Sequence, residues 1–189
     1  MKRIKDNITK KDFRFLMNFI EADESIRKIR KDRLQKIFTL LYSLGIRLNE
    51  VQQINETVIN DLLENGKSKI KDYKTNKEKI VYISSDSKKL IEKYFNPKMG
   101  YTIHSERGNG NKLHPISLIN DVNSYLKKVF PNKNITSHSF RQTLITELSE
   151  KGINAKVIQT LVSHKDIKTT FRYIKVDENT IMNSLEIVR

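Results

Sequence analysis

The sequence predicts a mainly α fold with a small antiparallel β-hairpin or three-stranded sheet. Three observations carry this. Apolar residues recur along most of the chain at three- and four-residue spacing, the period of an amphipathic helix. These stripes are punctuated by helix starters such as Thr9, Asn154 and Asp166, and by the stop signals Gly45, Gly66 and Gly152. Strand-like alternation is confined to residues 67–84, with a shorter run at 101–104.

Taken in order, residues 1–8 read as a basic arm. Thr9 caps a helix with Phe13, Leu16, Met17 and Ile20 on one face. Residues 21–31 are charged and open the next helix. Its core side is Leu34, Ile37, Phe38, Leu41 and Leu44, and Gly45 closes it. Arg47 falls in the turn that follows, and Asn49 is expected to cap a short helix from Glu50. Residues 56–65 form a further helix ended by Gly66. Residues 67–72 and 78–84 are expected as strands joined by a turn at 73–77. Asp86 is the expected cap of a helix through Phe95. Gly108 and Gly110 mark 106–112 as a flexible loop. Pro115 starts a helix whose expected apolar face is Ile116, Ile119, Val122, Leu126, Val129 and Phe130, and Pro131 stops it.

Residues 137–174 organise the rest. Ser137 is expected to cap a helix with Phe140, Leu144, Ile145 and Leu148 as its stripe. His138 and Arg141, three apart, share a face of it. Beyond Gly152, Asn154 caps a helix carrying Val157, Ile158, Leu161 and Val162, which runs into Ser163 and His164. Asp166 caps a short helix over 167–173, ending at Tyr173. A tail helix is expected over 177–188, with Ile181, Leu185 and Val188 on one side.

The chain has 189 residues and a formal net charge of +14, a balance that favours a polyanionic partner. A lysine-rich solubilising surface gives the same number. Without cysteine there is no disulfide, zinc finger or thiol nucleophile. No run approaches the ~18 apolar residues of a membrane span. The first residues lack the apolar centre of a signal peptide. An intracellular, cytoplasmic protein is the simplest expectation.

His138-Ser-Phe-Arg141, Leu161-Val-Ser-His164 and Thr169-Thr-Phe-Arg-Tyr173 together resemble the signature of the tyrosine recombinases, or phage-type integrases. That pattern is His-x-x-Arg, a helical spacer, Leu-Gly-His, and a tyrosine at the distance that separates His164 from Tyr173. Ser163 stands where the family usually has glycine. Gly45-Ile-Arg47-Leu-Asn-Glu50 is similar to the family's first box, Gly-Leu-Arg-x-x-Glu. Lys74-Thr-Asn-Lys77-Glu-Lys79 is similar to its hairpin box without the flanking glycines. Lys74 then takes the catalytic position, with Lys77 as the alternative register.

The resemblance runs from about Thr9 to about Val188 and implies the tyrosine recombinase catalytic domain fold over residues 1–189. It finds no counterpart of the family's N-terminal core-binding domain. It also implies a chemistry. Arg47, Arg141 and His164 would donate to the scissile phosphate, and Tyr173 would attack it to form a 3′-phosphotyrosine link. His138 would help take the phenol proton, Lys74 would protonate the leaving 5′ oxygen, and Glu50 would support the site. No metal or cofactor is implied, and no ATP, because the tyrosine link conserves the phosphodiester bond energy until a second DNA end reseals it. The expected partner is double-stranded DNA, bound by a homotetramer that is monomeric when free. Integration of a mobile element, excision and dimer resolution all remain open. The alternatives are relaxation of DNA in the manner of a type IB topoisomerase, or a DNA-binding module without catalysis.

Overall fold

In a computed structural model, which describes residues 5–73, 75–98, 100, 101, 103, 113–174 and 182, the capping signals of the sequence fall at helix ends. The chain divides into two compact units, Met1–Leu144 and Ile145–Arg189.

In the first unit, α1 (Lys10–Ala22) starts at a reciprocal cap, with the Thr9 hydroxyl facing the Asp12 amide and the Asp12 carboxylate facing the Thr9 amide. Phe13, Leu16, Met17 and Ile20 are all buried, as their spacing predicts. α2 (Lys28–Leu44) is the central helix: Leu34, Ile37, Phe38, Leu40 and Leu41 are fully buried. Each such side chain contributes about 1.5–3 kcal/mol by leaving water. Phe13 stacks on Tyr42 with ring centroids 4.0 Å apart, and Phe38 stacks on Phe140 at 5.6 Å. Gly45 ends α2 in the left-handed conformation. A 3-10 helix (Leu48–Gln53) and α3 (Glu56–Asn65) follow, and Gly66 closes α3.

β1 (Lys67–Lys71) and β2 (Glu78–Tyr82) then pair antiparallel, from Lys67 opposite Tyr82 to Lys71 opposite Glu78. Among the described residues they form the whole sheet. The third strand expected at 101–104 and the loop at 106–112 fall largely or wholly outside the described residues. α4 (Ser85–Tyr94), α5 (Pro115–Val129) and the first part of α6 (Ser137–Glu150) complete the unit. The segment read as a basic arm is described from Lys5 onward, and there it is docked. Ile8 is fully buried and its amide donates to the Thr143 hydroxyl at 2.8 Å.

Several local expectations shift. The short helix after α2 begins at Leu48 with Arg47, not Asn49, in the cap position, because the Glu50 carboxylate folds back onto the Arg47 amide. Ser84, not Asp86, caps α4, accepting from the Ser87 amide. Ser137 is the first residue inside α6 and does not precede it. The buried stripe of α5 is Leu118, Val122, Tyr125, Leu126 and Val129, so Ile116 and Ile119 are exposed. That stripe is equally helical in period, and it brings the large Tyr125 ring inside.

The second unit takes α6 past Leu144. A left-handed Gly152 ends it, and the Ile153 amide closes back onto the Leu148 carbonyl at 3.0 Å. α7 (Ala155–Val162) and α8 (Ile167–Phe171) are capped by Asn154 and Asp166 as predicted. Ile158 and Val162 are buried, whereas Val157 is exposed. α8 ends before Tyr173, whose amide donates to the Thr170 carbonyl at 3.0 Å. The expected tail helix lies outside the described residues except for Met182. No helix among the described residues is long and apolar enough to cross a membrane.

Candidate active site

Gly45 and Arg47 are two residues apart, and each serves the site differently. The left-handed Gly45 turns its carbonyl onto α6, where Arg141 donates from Nη1 at 2.9 Å. Arg141 is 2% exposed, so its guanidinium is held inside the fold. His138, one turn earlier on α6, is exposed. Of this pair, Arg141 is buried and His138 exposed.

Arg47 leads the 3-10 helix. Its Nη1 donates to Glu50 Oε1 at 3.2 Å and to Asp72 Oδ2 at 2.6 Å. The Glu50 carboxylate is fully buried and accepts four bonds. Besides that from Arg47 Nη1, they come from the Arg47 amide at 2.8 Å, Lys79 Nζ at 2.7 Å and the Tyr73 amide at 3.2 Å. A buried carboxylate without such partners would be severely destabilising. Here two cations and two backbone amides replace its water. Burial pushes the Lys79 ammonium below the usual lysine value. The Glu50 contact opposes that shift, and the nearby Arg141 and Arg47 charges add to it. Arg47, Arg141 and Lys79 thus form one electropositive cluster, partly offset by Glu50 and Asp72.

The 3-10 helix also fixes the hairpin. The Gln53 amide pairs with Lys71 as a strand would, accepting from the Lys71 amide at 2.8 Å and donating to the Lys71 carbonyl at 2.9 Å. Asp72 Oδ1 accepts from the Thr75 amide at 2.9 Å, and the Asp72 amide donates to the Lys77 carbonyl at 2.8 Å. Lys77 is exposed at the end of this turn. Lys74 lies outside the described residues.

The second unit holds His164 and Tyr173. Ser163, left-handed with φ 52°, ends α7 and swings His164 off the helix. His164 is held by its amide on the Gln159 carbonyl and by Gln159 Nε2 on its own carbonyl, both at 3.0 Å. Its ring Nδ1 lies 2.9 Å from the hydroxyl of the fully buried Thr170. Thr170 therefore touches both groups, the histidine ring through its hydroxyl and the Tyr173 amide through its carbonyl.

The first unit contains Arg47, Glu50, His138 and Arg141, and the second contains His164 and Tyr173. The sequence motifs assign no role to Asp72 and carry Lys79 only as the last residue of the hairpin box. The signal for Lys79 was its position two residues before Val81, on the inward face of β2. Asp72 gave no sequence signal, because its contact with Arg47 depends on how the hairpin docks.

The family model for the phage integrase family matches residues 6–180. The tyrosine recombinase XerA of Pyrococcus horikoshii is 28% identical over 160 residues, covering 82% of this chain and 54% of that protein. The crystal structure of a XerA recombinase superposes with a TM-score of 0.68 at 17% identity, covering all of this chain and 65% of that one. The XerH site-specific recombinase bound to its difH substrate superposes with a TM-score of 0.70 at 19% identity, covering all of this chain and 55% of that one. The chain spans about half the length of the relatives it matches. The mainly helical fold with its antiparallel hairpin is that of the tyrosine recombinase catalytic domains. The chain belongs to the phage integrase family.

Proposed function

We propose that this phage integrase family member is the catalytic domain of a tyrosine-type site-specific recombinase, which cuts and rejoins DNA strands through a 3′-phosphotyrosine intermediate. The observation that carries it is the cluster of Arg47 and Arg141 around the Gly45 turn, backed by the buried Glu50 carboxylate. Two permanently charged, planar donors held in fixed orientation suit a phosphodiester whose charge grows in the transition state.

In this reading the Tyr173 oxygen attacks phosphorus and its proton passes to His138. The P–O bond to the 5′ oxygen breaks, and Lys74 supplies that oxygen with a proton. Arg47, Arg141 and His164 donate to the non-bridging oxygens. Thr170 supports His164: its hydroxyl satisfies Nδ1, which fixes the ring so that Nε2 is the nitrogen presented to phosphate. Resealing runs the same steps backward with a second 5′ hydroxyl, so no nucleotide triphosphate is consumed. The partner is duplex DNA, in keeping with the +14 charge and with the DNA substrate bound by the XerH relative. Assembly as a tetramer on paired DNA sites, from free monomers, and action in the cytoplasm belong to the same proposal.

The test is covalent trapping on nicked suicide duplexes, comparing the wild type with Tyr173→Phe. The variant loses one hydroxyl, should melt as the wild type does, and should form no adduct. Undiminished adduct in the variant overturns the assignment.

A further inference from the structure

We propose that Asp72 is a positioning residue for the phosphate site: its carboxylate ties the hairpin turn to the Arg47 guanidinium, so that both meet the DNA phosphate as one piece. This rests on the assignment of Arg47 to the phosphate. The two carboxylate oxygens have separate partners. Oδ2 accepts from Arg47 Nη1 at 2.6 Å. Oδ1 accepts from the Thr75 amide at 2.9 Å and the Thr75 hydroxyl at 3.1 Å. The backbone of the same residue closes the turn. Its amide donates to the Lys77 carbonyl at 2.8 Å and its carbonyl accepts from the Asn76 amide at 2.9 Å. A single buried side chain thus connects the turn to the arginine.

Electrostatics alone argues against a carboxylate here. Among the described residues, Arg47, Arg141 and Lys79 bring three positive charges, and Glu50 and Asp72 bring two negative ones. Without Asp72 the cluster would have a second net positive charge to offer an anion. A carboxylate so placed weakens phosphate binding. What it provides is orientation, because the shorter of the two ionic contacts on Arg47 Nη1 is the one from Asp72. Glu50 holds the arginine from its own turn and Asp72 holds it from the hairpin. Orientation errors of about an ångström at a reacting phosphate cost on the order of 100-fold in rate.

Asp72→Asn separates these effects. The amide oxygen still serves Thr75, so the turn survives, but the negative charge facing Arg47 is gone. The expected signature is a split in opposite directions. Affinity for a short random-sequence duplex, read by fluorescence anisotropy, tightens about two- to tenfold at low salt. The single-turnover cleavage rate at saturating DNA, on a suicide-duplex pool with a randomised arm, falls about 10- to 100-fold. Loss of both binding and cleavage with an early thermal melt would reduce Asp72 to a structural prop and overturn the proposal. Wild-type cleavage by Asp72→Asn, with Arg47→Ala inactive, overturns it while leaving the site assignment standing. Adduct formation by Arg47→Ala at the wild-type rate removes the site assignment itself.

Discussion

Arg141 donates to the carbonyl of Gly45 at 2.9 Å, so the second arginine of the cluster is oriented by the turn that presents the first. The bond needs Gly45 in its left-handed conformation, φ 57°, where a side chain is strained. It also needs empty space, since a Cβ on Gly45 would sit 2.5 Å from Leu144 Cδ2.

Gly45→Ala should therefore cost about 1–3 kcal/mol of stability and reduce cleavage further than the lost stability explains. Urea unfolding gives the first quantity and single-turnover cleavage below the melt gives the second. An unchanged unfolding midpoint would show that the turn relaxes freely.

The helices were legible because their information is local. Thr9 with Asp12, Asn154, Asp166, Gly45 and Gly66 each do in the fold what their chemistry announces within four residues. Arg47, Glu50 and Arg141 are singled out for another reason, their order along the chain, and the fold bonds Arg47 to Glu50 and Arg141 to the Gly45 turn. Long-range relationships were not legible. Asp72 reaches Arg47 only because Gln53 docks β1, and Lys79 turns inward only because Lys71 pairs with Glu78. The misjudged face of α5 has the same origin. Ile116 and Leu118 are equally apolar, and the expected face holds at Val122, Leu126, Val129 and Phe130 while Leu118 and Tyr125 are buried in place of Ile116 and Ile119.

Ser163 occupies a left-handed position at the end of α7, with φ 52° and ψ 51°. This explains why the family pattern has glycine there and marks the serine as strained. Ser163→Gly should stabilise the protein by about 0.5–1 kcal/mol, the relief of left-handed strain outweighing the added chain entropy. A thermal melt reads the gain. A lower melting temperature would mean that the serine side chain makes a contact worth more than the strain.

Asp23 gathers bonds from Lys128 Nζ at 2.7 Å, Tyr125 Oη at 2.9 Å and Ser25 Oγ at 2.6 Å. The Lys128 bond, with Ser25 next, holds this carboxyl well below the usual carboxylate range. A carboxyl depressed in the native state stabilises above its unfolded value and loses that contribution as pH falls through the native one. Wild type should therefore be more stable than Asp23→Asn at neutral pH. The difference should begin to shrink below about pH 4 and keep shrinking in stronger acid. Parallel denaturant titrations from pH 7 downward measure it, and a pH-independent difference would show that the charge is irrelevant to the clamp.

The hairpin lysines divide by chemistry. The Lys79 side chain is 8% exposed and bonded to Glu50 at 2.7 Å, a placement that supports the Arg47 turn. Removing it takes away one of the two cations on a buried carboxylate that keeps its Arg47 and Tyr73 bonds, so Lys79→Ala should destabilise by about 1–3 kcal/mol. Lys77 is exposed where the turn closes, and Lys74 precedes it by three residues in the same segment. A general acid is needed only while the leaving group is a poor one. A substrate with sulfur in place of the bridging 5′ oxygen leaves without a proton, so it should restore cleavage to a variant lacking the acid and to no other. Lys74→Ala should be slow on ordinary DNA and near wild type on the sulfur substrate. Lys79→Ala, impaired through its support of Arg47, should stay slow on both. Rescue of Lys77→Ala in place of Lys74→Ala would move the acid along the turn. Rescue of neither would place the proton donor outside the hairpin.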